Sequence, residues 1–161
     1  MVFYISLSLV SIAIMIGSAI QDIRERMIYV FPITMLHVMW SIYLYGYTDY
    51  SKMLLVTFWI VHLVLYVLLN KCVIWGGGDS DMLLVFADIV WVTSASMNGY
   101  SLVIRECLYL IVGLICSIAI GLIEGKVRKQ EVNVTNEIAV IPGLSLVMIL
   151  LMVQYFVWRW M

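Results

Sequence analysis

Two short acidic segments carry the residue types from which catalytic chemistry could be built. The first reads Gln21-Asp22-Ile23-Arg24-Glu25-Arg26-Met27-Ile28, the second Trp75-Gly76-Gly77-Gly78-Asp79-Ser80-Asp81-Met82. A pair of carboxyl groups can hydrolyse a peptide bond when one takes a proton from water and its protonated neighbour polarises the carbonyl. Close like charges resist ionising together, so one of the two keeps its proton and supplies the acid. A partly dehydrated setting sharpens that difference. Gly76, Gly77 and Gly78 would let another backbone approach closely. Each segment also has a plainer reading. Asp79 could cap a helix that begins after the glycines, where free N–H groups and the helix dipole favour an acid. Asp22 could be a solvated loop charge paired with Arg24 or Arg26. A phosphate cradle is disfavoured: the Lys-Ser/Thr ending of a P-loop is missing, and an acid stands where the anion would sit.

Whether the two segments can meet depends on the elements that carry them. The 161 residues are 65% hydrophobic and 12% charged, with mean hydropathy +1.07. A soluble domain runs near 45–50% apolar and about 25% charged. The apolar excess excludes a water-soluble globule and a disordered chain. A net charge of −1 leaves no basic field for nucleic acid. The expected class is all-α: a polytopic transmembrane helix bundle forming a single domain over residues 1–161.

Charges divide the chain. Residues 1–21, 27–48, 53–70, 89–104, 107–123 and 138–158 contain no Asp, Glu, Lys or Arg. A spanning helix needs roughly 20 mostly apolar residues, so about six spans are predicted, near 2–20, 30–47, 53–70, 82–97, 102–123 and 138–158. The apolar runs are continuous rather than alternating, which argues against a β-barrel. The first segment lacks a basic start and a small-x-small cleavage site, so a permanent helix is expected rather than a signal peptide. With the N-terminus outside, Arg24, Arg26, Lys71, Lys126, Arg128 and Lys129 face the cytoplasm. Lys52 and Arg159 face out, with Arg105 at the outer start of the fifth helix. That arrangement satisfies the positive-inside rule and puts both acidic segments at the cytoplasmic boundary.

Three segments, taken in order, carry a resemblance: Asp22 with Arg24, Arg26 and Ile28; Gly76-Gly77-Gly78-Asp79; and Glu137-Ile138-Ala139-Val140-Ile141-Pro142-Gly143-Leu144. The chain resembles the type IV prepilin peptidases and preflagellin peptidases, membrane aspartyl proteases of the Gly-x-Gly-Asp type. Their first motif is an Asp followed by a basic stretch and an apolar residue. Their second is a glycine-flanked catalytic Asp, and an Ile-Ala-x-x-Pro pattern opens the last helix. The chain departs from the family at Tyr29, where Pro is frequent, and at Asp81, where a basic residue is common. It also lacks the four-cysteine insertion that many bacterial relatives carry between the first two helices, so it is similar to the short, peptidase-only branch.

The resemblance implies an aspartic endopeptidase with Asp22 and Asp79 as the catalytic pair and no cofactor. Gly76, Gly77, Gly78, Asp81 and Pro142 would support the site. The implied partner is a prepilin-like precursor of a type IV pilus or related secretion system. Such a substrate has a basic leader, a Gly before the cut and a hydrophobic helix after it. The implied location is a bacterial or archaeal cytoplasmic (inner) membrane, with contact to lipid and the site at the cytoplasmic face.

Other residues have their own readings. Asp88 would lie about 10 Å into the bilayer, and an intramembrane acid is a functional candidate. It motivates the alternative of a small transporter or channel subunit with an acidic relay, although no inverted repeat is evident. His37 and His62 lack companions at metal-ligand spacing and are expected to form interhelical hydrogen bonds. Arg105 and Glu106 point in different directions on a helix and are expected to anchor at the interface. Tyr29, Trp40, Trp59, Trp75, Tyr100, Trp158 and Trp160 read as an interfacial belt. Cys107 and Cys116 sit about 13 Å apart along one helix, too far for a disulfide; Cys72 stands alone. Pro142-Gly143 would loosen the start of the last helix and could form a hinge or notch.

Overall fold

The computed structural model describes residues 2–71, 77–95, 97–127 and 139–160. Cys72, Trp75, Gly76, Arg128, Lys129, Glu137 and Ile138 lie outside the described residues. Six α-helices follow one another: α1 (Val2–Glu25), α2 (Val30–Tyr47), α3 (Lys52–Lys71), α4 (Gly77–Val92), α5 (Gly99–Val127) and α6 (Ile141–Trp160). Among the described residues there is no strand.

The short fourth helix is the centre of the bundle. From Ser80 to Val92 every residue of α4 is buried except the half-buried Leu84. A helix that is apolar all round belongs in an interior, and α2, α3, α5 and α6 all pack against this one. α1 closes the bundle against α6 and α2. The outer helices turn side chains such as Leu9, Ile60, Leu63, Ile115 and Leu122 outward, as lipid-facing surfaces do.

Of these helices, α1, α3, α5 and α6 are long and apolar enough to cross a membrane. The other two expected spans fall short for different reasons. α4 has 16 residues, about 24 Å at 1.5 Å per residue against a hydrocarbon core of about 30 Å. α2 interrupts its apolar residues with Pro32, His37, Ser41 and a run of tyrosines.

Helix limits also differ from the charge-free segments. α1 continues past Gln21 to Glu25, so Asp22 is helical rather than in a loop. α4 spans 77–92 where 82–97 was expected. Its start is drawn back because Gly78 fits under Ile28: a Cβ at Gly78 would overlap the Ile28 side chain. At its other end Thr93 N–H still donates to Ile89 O at 3.0 Å, and residues 93–95 form a turn.

Side-chain hydrogen bonds tie the far end of the bundle. The Tyr4 hydroxyl donates to Met152 O (3.1 Å), joining α1 to α6. Trp40 Nε1 donates to Ser11 Oγ (2.9 Å), joining α2 to α1. Trp40 is fully buried, which removes it from the expected interfacial belt: its N–H has a partner, so the ring can serve as core. Tyr29, Tyr100 and Trp158 remain exposed.

α5 and α6 approach through small residues, as membrane helices do where backbones must come close. A Cβ on Gly143 would collide with the Gly113 carbonyl and with Ser117. The Ser117 hydroxyl lies within reach of both Val140 O (2.6 Å) and Gly113 O (3.0 Å). Gly143 is therefore a contact residue, and α6 runs unbroken from Ile141 to Trp160. Pro142 sits in its first turn, where the missing N–H has no helical acceptor to lose.

Gly143→Ala should therefore force α5 and α6 apart and destabilise the chain by about 1–3 kcal/mol. Gly17→Ala, with nothing within 4 Å of the added carbon, should be neutral or slightly stabilising. Thermal melts in one detergent compare them; equal melting temperatures would refute the close-contact account.

Candidate active site

The first acidic segment is built on the last turn of α1. Asp22 is buried at 7% exposure, while Arg24 and Glu25 face outward. Its Oδ2 accepts the backbone N–H of Ile141 at 3.2 Å. That N–H is one of the orphan donors at the start of α6, which a carboxylate satisfies well. Asp22 thus caps, from another helix, the segment Ile141-Pro142. The solvated Asp22–arginine pair open at the sequence level gives way to an interior contact.

Arg26 turns the chain out of α1. Its N–H donates to Asp22 O at 3.0 Å, and its φ of 54° lies in the left-handed region, a helix-ending conformation that usually falls to Gly. For a residue with a Cβ this conformation costs about 1–2 kcal/mol. An ion pair from Arg26 Nη2 to Glu124 Oε2 at 2.9 Å offsets part of that and binds the turn to α5. Tyr29 N–H then donates to Gln21 Oε1 at 3.3 Å, which folds the chain back over α1.

The turn delivers Ile28 onto Gly78. Contact between the two acidic segments is made there: the loop that follows Asp22 rests on the first turn of α4, which contains Asp79. Asp79 is half-buried. It lies inside the helix rather than at its cap, because α4 begins at Gly77. Gly77 and Gly78 are accordingly helical, and Gly76 lies outside the described residues.

Asp81 is more deeply placed than Asp79, at 7% exposure. The Tyr66 hydroxyl and His37 lie near it. A groove of about 420 Å³ runs beside the first segment, lined by Gly17, Gln21, Arg24, Tyr29 and Pro32 among others. Among the described residues, no group of three His, Cys, Asp or Glu could hold a metal ion. Cys107 and Cys116 are free thiols.

A second set of polar residues lies deeper. Asp88 is fully buried, with His37 Nδ1 at 2.7 Å and the Ser41 hydroxyl donating at 3.2 Å. His62 joins α3 to Glu106 of α5 at 2.7 Å, and Trp91 Nε1 donates to the same carboxyl at 2.9 Å. The interhelical hydrogen bonds expected of both histidines are present. Glu106 was expected at the interface and instead points inward. The signal available for it was His62, a polar residue in an apolar helix that needs an interior partner. The Arg105 guanidinium lies over the Tyr109 ring, 5.2 Å from its centre.

Comparison with protein-family models, with curated proteins and with solved structures finds no match to this chain.

Proposed function

We propose that this chain is a membrane aspartic endopeptidase that removes the basic leader of prepilin-like precursors. Asp22 and Asp79 act as its general acid and base. The observation that carries the reading is the convergence on the first acidic segment. Asp22 holds the N–H of Ile141, beside Pro142, and Ile28 seats on Gly78, one residue before Asp79. Described residues of three segments distant in sequence, each segment resembling a motif of one peptidase family, thus meet at one end of the bundle.

The chemistry follows from that placement. A carboxylate activates water, and the partner carboxyl, still protonated, polarises the scissile carbonyl and later protonates the leaving amine. The dipole at the start of α4 favours the ionised form of Asp79. The interior setting of Asp22 disfavours a second nearby charge. The substrate's hydrophobic helix stays in the bilayer while its basic leader lies at the polar end of the bundle. All six helices, the enclosed α4 included, traverse the bilayer in this reading, with the acidic end at the cytoplasmic face of the inner membrane.

Topology tests the shared side. Reporters fused after Glu25 and after Asp81 should both report cytoplasm, and one after Asp49 the exterior; opposite sides for the first two would end the two-carboxylate reading.

Coexpression with a pilin precursor tests the chemistry through a gel shift of the product. Asp22→Asn and Asp79→Asn should each reduce conversion by about 10²–10⁴-fold at equal membrane abundance. The double variant should be little worse, because the pair acts as a unit. Asp81→Asn should lose far less. Near-normal conversion by Asp79→Asn with Asp81→Asn inactive would move the assignment two residues along α4, and activity in Asp22→Asn would exclude the mechanism.

A further inference from the structure

Along the central helix runs a second set of titratable groups that the proposed hydrolysis does not use. Asp81 and Asp88 stand two turns apart on one face of α4, about 10 Å along its axis. His37 of α2 faces both of them, with Nδ1 2.7 Å from Asp88 Oδ2. Ser41, one turn further along α2, donates to the same carboxyl. One turn beyond Asp88, Trp91 reaches Glu106 of α5, which is bonded in turn to His62 of α3. The charge of Asp88 also acts on His62. The groups around this line are therefore His37 and Ser41 from α2, Tyr66 and His62 from α3, Asp81, Asp88 and Trp91 from α4, and Glu106 from α5.

The two histidines line one cavity. α2 and α3 pack mainly on α4 and touch each other through the Tyr45 and Trp59 rings, and the cleft between them holds about 540 Å³. His37, Ser41 and His62 supply its polar wall, while Trp59, Leu63 and Leu84 are among its apolar lining. A water molecule occupies about 30 Å³ and needs two to four polar partners. The cleft has the room, and His37 and Ser41 are the polar groups it offers, since both ring nitrogens of His62 are engaged by Phe58 O and Glu106.

Hydrogen counting fixes the state of the deeper pair. His62 Nδ1 lies 2.8 Å from Phe58 O, and a carbonyl can only accept, so Nδ1 carries a hydrogen. The 2.7 Å contact from Nε2 to Glu106 Oε1 then requires a further proton between nitrogen and oxygen. The pair is either imidazolium with carboxylate or imidazole with carboxylic acid. Both forms are neutral overall, and they interconvert by moving one proton with no change in electron count. At the other pair a proton lies between His37 Nδ1 and Asp88 Oδ2, 2.7 Å apart. With Nε2 bare the pair carries net charge −1, and a proton added there makes it neutral, which relieves the cost of an unpaired interior charge.

We propose that Asp81, His37, Asp88, His62 and Glu106 form a proton-binding file that binds protons and passes them along α4. Its ligand is the proton alone. The geometry of the file is independent of the peptidase reading, and either can hold without the other.

The test uses the full chain reconstituted in liposomes with a pH-sensitive dye inside and a potassium diffusion potential as driving force. Proton uptake should exceed that of protein-free liposomes and should fall at least tenfold in both Glu106→Gln and Asp88→Asn. Uptake no greater than in protein-free liposomes, or within twofold of the parent in both variants, overturns the proposal. Because either variant can misfold, a second measurement uses the unaltered chain. In lipid at neutral pH, nitrogen NMR of labelled histidine with carbon NMR of labelled glutamate should show His62 Nδ1 protonated and a second proton shared between Nε2 and Glu106. A His62 carrying one proton beside an ionised Glu106 overturns it equally.

Discussion

Everything in this bundle depends on a helix that has no lipid face. α4 is too short to span a hydrocarbon core comfortably and carries Asp88 at its middle, so on its own it would be poorly retained in a bilayer. Four other helices cover it, and the covering makes its polar content tolerable. Once α4 is enclosed, its two ends must be accommodated by whatever encloses it. The acidic end meets the turn after α1. The other end meets Tyr50, whose hydroxyl donates to Trp91 O at 3.0 Å.

The enclosure is held largely by polar contacts between helices. Burying an acid without partners costs several kcal/mol, whereas a hydrogen-bonded one is tolerated. Asp88 has His37 and Ser41, Glu106 has His62 and Trp91, and Asp22 has the N–H of Ile141. Each of these contacts joins two different helices. In an apolar solvent the hydrophobic effect cannot select one helix arrangement over another, so such pairs and close small-residue contacts do the selecting. Gly113, Ser117 and Gly143 do it for α5 and α6; Trp40 and Ser11 do it for α1 and α2.

At the acidic end the same logic joins three helix ends. A left-handed Arg26, an unfavourable conformation in isolation, is held by Glu124 and sets the direction of the following loop. That loop places Ile28 where Gly78 leaves room. The outcome is a crowded polar boundary in which the last turn of α1 and the first turns of α4 and α6 support one another. Catalysis by paired carboxyls requires that kind of rigid mutual support, since a carboxyl displaced by about 1 Å loses much of its advantage.

The sequence by itself determined the helical class, the positions of most helices and the residues with chemical potential. Charge-free runs of spanning length leave few alternatives, and Asp22, Asp79, Asp88, His37 and His62 were visible as polar exceptions within or beside them. What it could not determine was direction. Whether Glu106 faces lipid headgroups or His62, whether Trp40 sits in a belt or in the core, and whether Pro142-Gly143 bends a helix or packs one all depend on a neighbouring helix that no local pattern names. The start of α4 was obscured for the same reason: glycines read locally as a loop, and only Ile28 pressing on Gly78 shows why a helix needs them. Hydropathy reports what a residue avoids, but the partner it finds is decided by packing between helices far apart in the chain.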